Sequence, residues 1–164
     1  MINRRTVANW LKRLPWTGEL AIHIMRLWQP WRTVGAVGVV YNDKGEVLIV
    51  EHVFHPKYPW GLPGGWMSRK EDPADTVRRE VQEETGLNVQ VIRPLLVEHT
   101  PFLSRHLDIC YLCYAPVDAG EVKLSSELLA YRWIDPHESV PLVRFHARAV
   151  AAAFEQGVFT KVAV

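Results

Sequence analysis

The chain has 164 residues, which suits one domain or one domain with a short appendage. Hydrophobic residues make up 48% and charged residues 23%, which excludes a disordered chain and leaves enough apolar side chain for a core without staples. A net charge of +1 gives no general reason to expect nucleic-acid binding, whereas a phosphate-bearing small molecule would need only a local positive site, and a metal ion can supply one.

Residues 1–33 differ from the rest. Val7, Trp10, Leu11 and Leu14 fall at helical spacing and Pro15 ends the run. Leu20, Ile24, Leu27 and Trp28 repeat the pattern and Pro30 ends it. The spacing predicts an N-terminal helical extension of one or two helices that packs on the domain or on a second copy in a homodimer. Its basic flank (Arg4, Arg5, Lys12, Arg13) beside Trp and Leu also allows residues 1–28 to rest on a membrane surface. No apolar run is long enough to span a membrane, and Asn9, Lys12 and Arg13 interrupt any signal-peptide core, so a cytoplasmic protein is expected.

From residue 34 onwards the pattern is that of a single domain, 34–164. Val34–Tyr41 is valine-rich and reads as a buried strand. Asn42–Gly45 is a turn by composition, and Val47–Glu51 follows as a second strand, giving a hairpin. His52–Trp66 holds Pro59, Gly61, Pro63, Gly64 and Gly65 and reads as a loop. Asp72 and Pro73 start a helix that Gly86 stops. Val89–Val97, Leu107–Tyr114 and Leu129–Ile134 read as strands. Leu142–Gln156 is an amphipathic, alanine-rich helix ended by Gly157. Cys110 and Cys113 lie three apart in a strand and so point to opposite faces. No second cysteine pair completes a zinc set, and two reduced thiols are expected.

The helix from Pro73 carries the chemistry. At about 100° per residue, Glu80, Glu83 and Glu84 share one stripe about a quarter-turn wide. Three close anions repel, and a hard divalent cation with oxygen ligands is their natural remedy. Ala74, Val77 and Val81 lie beside the stripe and can anchor the helix while the acids face a cavity. Arg79 is placed to pair with Glu83. Glu71 is close enough in sequence to reach the arginine or the acids, so that both position the ligands.

The stretch Gly65, Glu71, Arg79, Glu80, Val81, Glu83, Glu84, Gly86, Leu87 resembles the Nudix box at every position. A chance match in one chain is on the order of one in ten million. Trp60–Gly65 is similar to the family's lead-in, and the order of strands and helices extends the resemblance from about Val34 to Phe154. One spacer departs: Lys70 stands where many members have glycine.

The resemblance implies an α/β/α sandwich around a mixed β-sheet, and metal-dependent hydrolysis of a pyrophosphate bond in a nucleoside diphosphate derivative or nucleoside triphosphate. It implies Mg²⁺ or Mn²⁺ as cofactor, with Glu80 and Glu84 as principal ligands and the Gly65 carbonyl completing the set. Glu83 serves as a ligand or orients the water. The ions reverse the local charge and lower the pKa of bound water. A carboxylate then takes the proton, either from the box or from a downstream loop, where Glu127 is the first choice and Glu98 the second. Trp60 and Phe102 are candidates for stacking on a base, and His52, His55 and Arg105 for meeting phosphates. The alternative is a non-catalytic nucleotide sensor, but a sensor has no need of Glu80, Glu83 and Glu84 together.

Overall fold

The computed structural model describes residues 15–28, 31–55, 57–99 and 103–155. The chain divides into two compact units, Met1–Trp31 and Arg32–Val164. The first contains helix α1 (Pro15–Trp28). Pro15 is its first residue, where a missing N–H costs nothing. The helix expected over Val7–Leu14 lies outside the described residues.

The second unit is a sheet with a helix on each face. Its elements are β1 (Thr33–Tyr41), β2 (Val47–His52), β3 (Trp60–Gly61), β4 (Gly64–Trp66), α2 (Pro73–Thr85), β5 (Gln90–His99), β6 (His106–Tyr114), β7 (Leu128–Ile134) and α3 (Arg144–Glu155). The strands run in the order β3-β2-β1-β6-β5, with β4 also paired to β1 and β7 to β2. The sheet is mixed: β1 and β6 are parallel from Thr33↔His106 to Tyr41↔Tyr114, and the other pairs are antiparallel. Pro94 sits on β5 beside a register shift, and β5 is an edge strand, where a missing N–H is tolerated.

Burial on both faces explains the valine-rich β1. Val37, Val39, Ile49, Cys110 and Leu112 pack with Phe145, Ala149 and Ala153 of α3. Ala36, Val40, Leu48 and Cys113 pack with Val77 and Val81 of α2. The two cysteines are free, buried and on opposite faces, as their spacing predicted, and burial pushes both thiols up to about 12.

The structure adds detail to several local expectations and shifts some of them. The β1–β2 hairpin pairs at Tyr41↔Val47, after which β4 takes the place beside β1 and β7 pairs with β2. The loop over His52–Trp66 contains two short strands, because Gly64 and Gly65 let the backbone close on β1. Asp72 is the N-cap residue of α2, yet its side chain makes no capping hydrogen bond, and its carbonyl instead accepts from the backbone N–H and hydroxyl of Thr76. Gly86 ends α2 as expected, at φ 74° with its N–H donated to the carbonyl of Gln82. The C-terminal helix begins two residues later than expected, and Gly157 lies outside the described residues.

Candidate active site

The acidic helix is held against the sheet by its apolar side. Thr76, Val77, Val81, Glu84 and Thr85 are buried, so Glu84 belongs to the inward face of α2 although it is a carboxylate. Its Oε2 accepts the Gly64 N–H at 2.9 Å. Burial raises Glu84 to about 8 despite that bond, and the charges of Glu80, Glu127 and Glu83 push the same way. Glu80 is also raised, mainly by burial, with Arg79 opposing.

Gly65 lies tight against Glu80. A Cβ on Gly65 would stand 2.4 to 2.6 Å from the Glu80 carboxylate, so any larger residue would push that side-chain end aside. At Gly64 a Cβ would meet the Ala36 carbonyl oxygen at 2.4 Å and the Val37 Cα at 2.5 Å, which is backbone and does not yield. The two glycines thus let β4 pair with β1 and sit against the acids at once.

Arg79 organises the rest. Its Nε and Nη2 donate to the two oxygens of Glu71 at 2.9 and 3.1 Å, a bidentate pair. Its Nη1 donates to Glu80 at 2.7 Å and to Glu83 at 3.2 Å, and Nη2 reaches the Trp66 carbonyl at 3.3 Å. Glu71 also accepts the Ser68 N–H at 2.9 Å. The Arg79 guanidinium, with the Ser68 N–H, holds Glu71 at about 2, far below the usual carboxylate range, and Arg79 is correspondingly raised. Lys70, the residue that departs from the family pattern, has φ 63°, so the loop keeps a left-handed, glycine-like backbone with a side chain on it.

Glu127 reaches the same place from a different element. The Lys123 N–H donates to the Thr85 carbonyl and the Ser125 N–H to the Glu84 carbonyl, tying residues 123–125 to the end of α2. The Val53 N–H donates to the Glu127 carbonyl from the other side. Glu127, Glu80, Glu84, Arg79, Gly64 and Gly65 then line one open cavity of about 470 Å³ with His52, Phe54, His55, Trp66 and Ser68. Glu83 does not line it. Its side chain is 61% exposed and turned to Arg79. Glu98 is likewise elsewhere, ion-paired with Arg148 of α3.

A second cavity of about 510 Å³ shares His52, Phe54, His55 and Trp66 with the first and adds Tyr58, Trp60, Leu103, His106, Asp108 and His146. Trp60 is therefore on its wall, with the Arg132 guanidinium 5.7 Å from its ring centre. His146 is half-buried, and its Nδ1 accepts the Leu62 N–H at 3.1 Å. Burial, then the neighbouring His52, lowers His146 to about 4; burial, then His55, lowers His52 to about 4. His106 is held between Thr33 Oγ1 at 2.7 Å and Asp108 Oδ1 at 3.0 Å, under the Trp66 ring. Arg105 is exposed and lines neither cavity, and Phe102 lies outside the described residues. Trp66, Phe54, His106, Asp108 and His146 were missed in the sequence. They come from four separated segments, and no spacing signals them.

The donors around the acid cavity are all hard oxygens. Among the described residues no three His, Cys, Asp or Glu side chains are gathered closely enough to hold a metal ion by themselves. A small hard cation that keeps several waters does not require three, and the buried Glu84 with the half-buried Glu80, both raised above their usual range, match its demand for nearby anionic oxygen.

The NUDIX domain family profile matches residues 31–154. The chain belongs to the Nudix family. It is 33% identical over 114 residues to Nudix hydrolase 6 of Arabidopsis thaliana, covering 65% of this chain and 40% of that protein, so it spans well under two thirds of that relative's length. It is 38% identical over 121 residues to the CMP-5'-(N-acetyl-N-hydroxy-3-aminopropyl)phosphonate hydrolase of Streptomyces rubellomurinus, covering 69% of this chain and 57% of that one. An ADP-ribose pyrophosphatase from Streptococcus suis shares the Nudix fold with a TM-score of 0.63 at 24% identity, over 77% of this chain and 92% of its own.

Proposed function

We propose that this Nudix chain hydrolyses a pyrophosphate bond in a nucleoside diphosphate derivative or nucleoside triphosphate, with Mg²⁺ or Mn²⁺. The observation that carries the reading is the convergence of Glu80, Glu84 and Glu127 with Gly64 and Gly65 on one open cavity, next to an aromatic one of similar size. The work belongs to residues 34–164, with 1–33 as a separate extension. Two unpaired, buried cysteines suit a reducing, cytoplasmic setting.

Glu80, Glu84 and the Gly65 carbonyl would hold the cation. When bound, it supplies charge neutralisation, polarisation of phosphoryl oxygens and a lowered pKa for water. Arg79 fixes the Glu80 carboxylate and the Gly64 N–H fixes Glu84, so neither must reorganise during the reaction. Glu127 takes the proton from the attacking water as its oxygen bonds to phosphorus and the bridging P–O bond breaks. Of the acids considered for this role outside the ligand pair, Glu83 is turned to Arg79 and Glu98 to Arg148, which leaves Glu127 on the cavity wall. His52, at the junction of the two cavities, contacts the phosphates. Trp60, Trp66 and Phe54 receive the nucleoside or the second moiety by stacking.

A panel of nucleoside triphosphates and nucleoside diphosphate derivatives with Mg²⁺ and with Mn²⁺, read by phosphate release, tests the proposal. Cleavage of at least one phosphoanhydride, abolished by chelation, is expected. No cleavage with any metal would leave the sensor reading standing instead.

A further inference from the structure

None of the residues given a role above comes from the N-terminal unit, and its helix α1 is built unlike a surface helix of a water-soluble protein. Helix α1 places Trp16, Leu20, Ile24 and Leu27 within a stripe about 80° wide. Their exposures are 59%, 50%, 49% and 83%. Ile22 and Met25, both more than half exposed, widen the apolar surface beyond the stripe. Large apolar side chains left this open in a row mark a surface that takes a partner.

Charge identifies the partner. Residues 1–31 hold five arginines and lysines against one glutamate, a net +4, whereas residues 32–164 hold 14 against 17, a net −3. The cationic character is thus concentrated in the unit that shows the open apolar face. Four of the seven tryptophans (Trp10, Trp16, Trp28, Trp31) fall in the same 31 residues. Tryptophan prefers the boundary between hydrocarbon and water, where its ring is buried and its N–H stays wet. A second copy of this chain would set +4 against +4. No helix among the described residues is long and apolar enough to cross a membrane. The open apolar stripe in a cationic, tryptophan-rich unit is the pattern of a segment that lies on a membrane surface.

We propose that residues 1–31 dock on the surface of an anionic lipid bilayer, with Trp16, Leu20, Ile24 and Leu27 entering the headgroup boundary and the basic residues meeting lipid phosphates. Each basic residue near such a surface strengthens binding about fivefold, and salt screens it.

The test is co-sedimentation of the full chain with two vesicle types, phosphatidylcholine alone and phosphatidylcholine mixed with phosphatidylglycerol. At about 0.05 M salt the anionic vesicles should bind at least tenfold more protein, and at about 0.5 M most of that difference should vanish. The double variant Leu20→Ser, Leu27→Ser, on exposed positions, should lose vesicle binding while keeping its solubility and its thermal midpoint. Equal binding to both vesicle types, or undiminished binding by the double variant, would overturn the proposal. So would a dimer that dissociates in the double variant without any vesicle binding, which would give the face to a second copy. None of these readouts depends on which phosphoanhydride is cleaved.

Discussion

Glu84 is the residue on which most of the chemistry converges. It is a carboxylate on the buried side of α2, held by one backbone N–H and surrounded by three other acids. Glu84→Gln keeps the size and the Gly64 contact but removes the charge, so turnover should fall at least about a hundredfold while the circular dichroism is unchanged. Wild-type-like turnover in that variant would refute the site. The same raised pKa has a stability consequence. The unfolded chain ionises Glu84 near 4.5 and the metal-free fold near 8, so the fold loses stability as pH rises across that interval. His52 and His146 act on the acid side with the opposite sign. Both are lowered from 6.5 to about 4, so the fold loses stability as pH falls from about 6.5 towards 4. Thermal midpoints measured against pH in chelator should therefore fall towards alkaline pH in the wild type, and Glu84→Gln should flatten that slope while leaving the acid limb. Glu127 is tested separately: as the proton acceptor, its change to Gln should cost roughly 10² to 10⁴ in kcat with little change in KM. A loss under about tenfold would remove it from the mechanism.

Among the elements, β4 does two things in three residues. It pairs with β1 through Gly35↔Trp66, Ala36↔Gly65 and Val37↔Gly64, and it brings Gly65 against the Glu80 carboxylate. Gly65→Ala should leave the strand pairing in place and displace the end of a side chain, so activity should fall roughly 10- to 100-fold with the fold retained. Near-normal kcat/KM in Gly65→Ala would show that the position of Glu80 tolerates a shift and that the contact is incidental. The loop before α2 shows the same economy. Glu71 is fixed at both ends, by the Ser68 N–H and by the Arg79 fork, and Lys70 adopts a left-handed backbone beside it. Lys70 thus carries a side chain on a backbone conformation that favours glycine.

At the scale of the whole molecule, the second unit is a mixed sheet with α2 and its acids on one face and α3 on the other; the first cavity lies where β4, His52–His55 and Glu127 meet, and the second adds β6 and α3. Occupation of this site by a cation should stabilise the fold by mass action. Mg²⁺ at about a hundred times its dissociation constant should contribute roughly 2.7 kcal/mol, a rise of several degrees in the thermal midpoint. The rise should be lost in Glu84→Gln and should diminish below about pH 8, where Glu84 must release a proton to bind. A midpoint unmoved by Mg²⁺ and Mn²⁺ at any pH would count against metal binding at these carboxylates.

The sequence by itself determined what local spacing determines. The i, i+3, i+4 acids, the Asp72-Pro73 start and the Gly86 stop of α2, the strands with their two-sided burial, and the opposed cysteines all follow from the periods of helix and strand. So does the family, because the box is nearly contiguous. Tertiary structure decided what depends on distance in space. It split the three box acids, burying Glu84, half-covering Glu80 and turning Glu83 outwards to Arg79, because that guanidinium is anchored by Glu71 eight residues earlier in the chain. It brought Glu127 to the cavity through two backbone bonds to the end of α2, and it confined the expected β1–β2 pairing to Tyr41↔Val47, with β4 beside β1 and β7 beside β2. The histidine and tryptophan walls of the second cavity come from segments with no common period, so no reading along the chain could have assembled them.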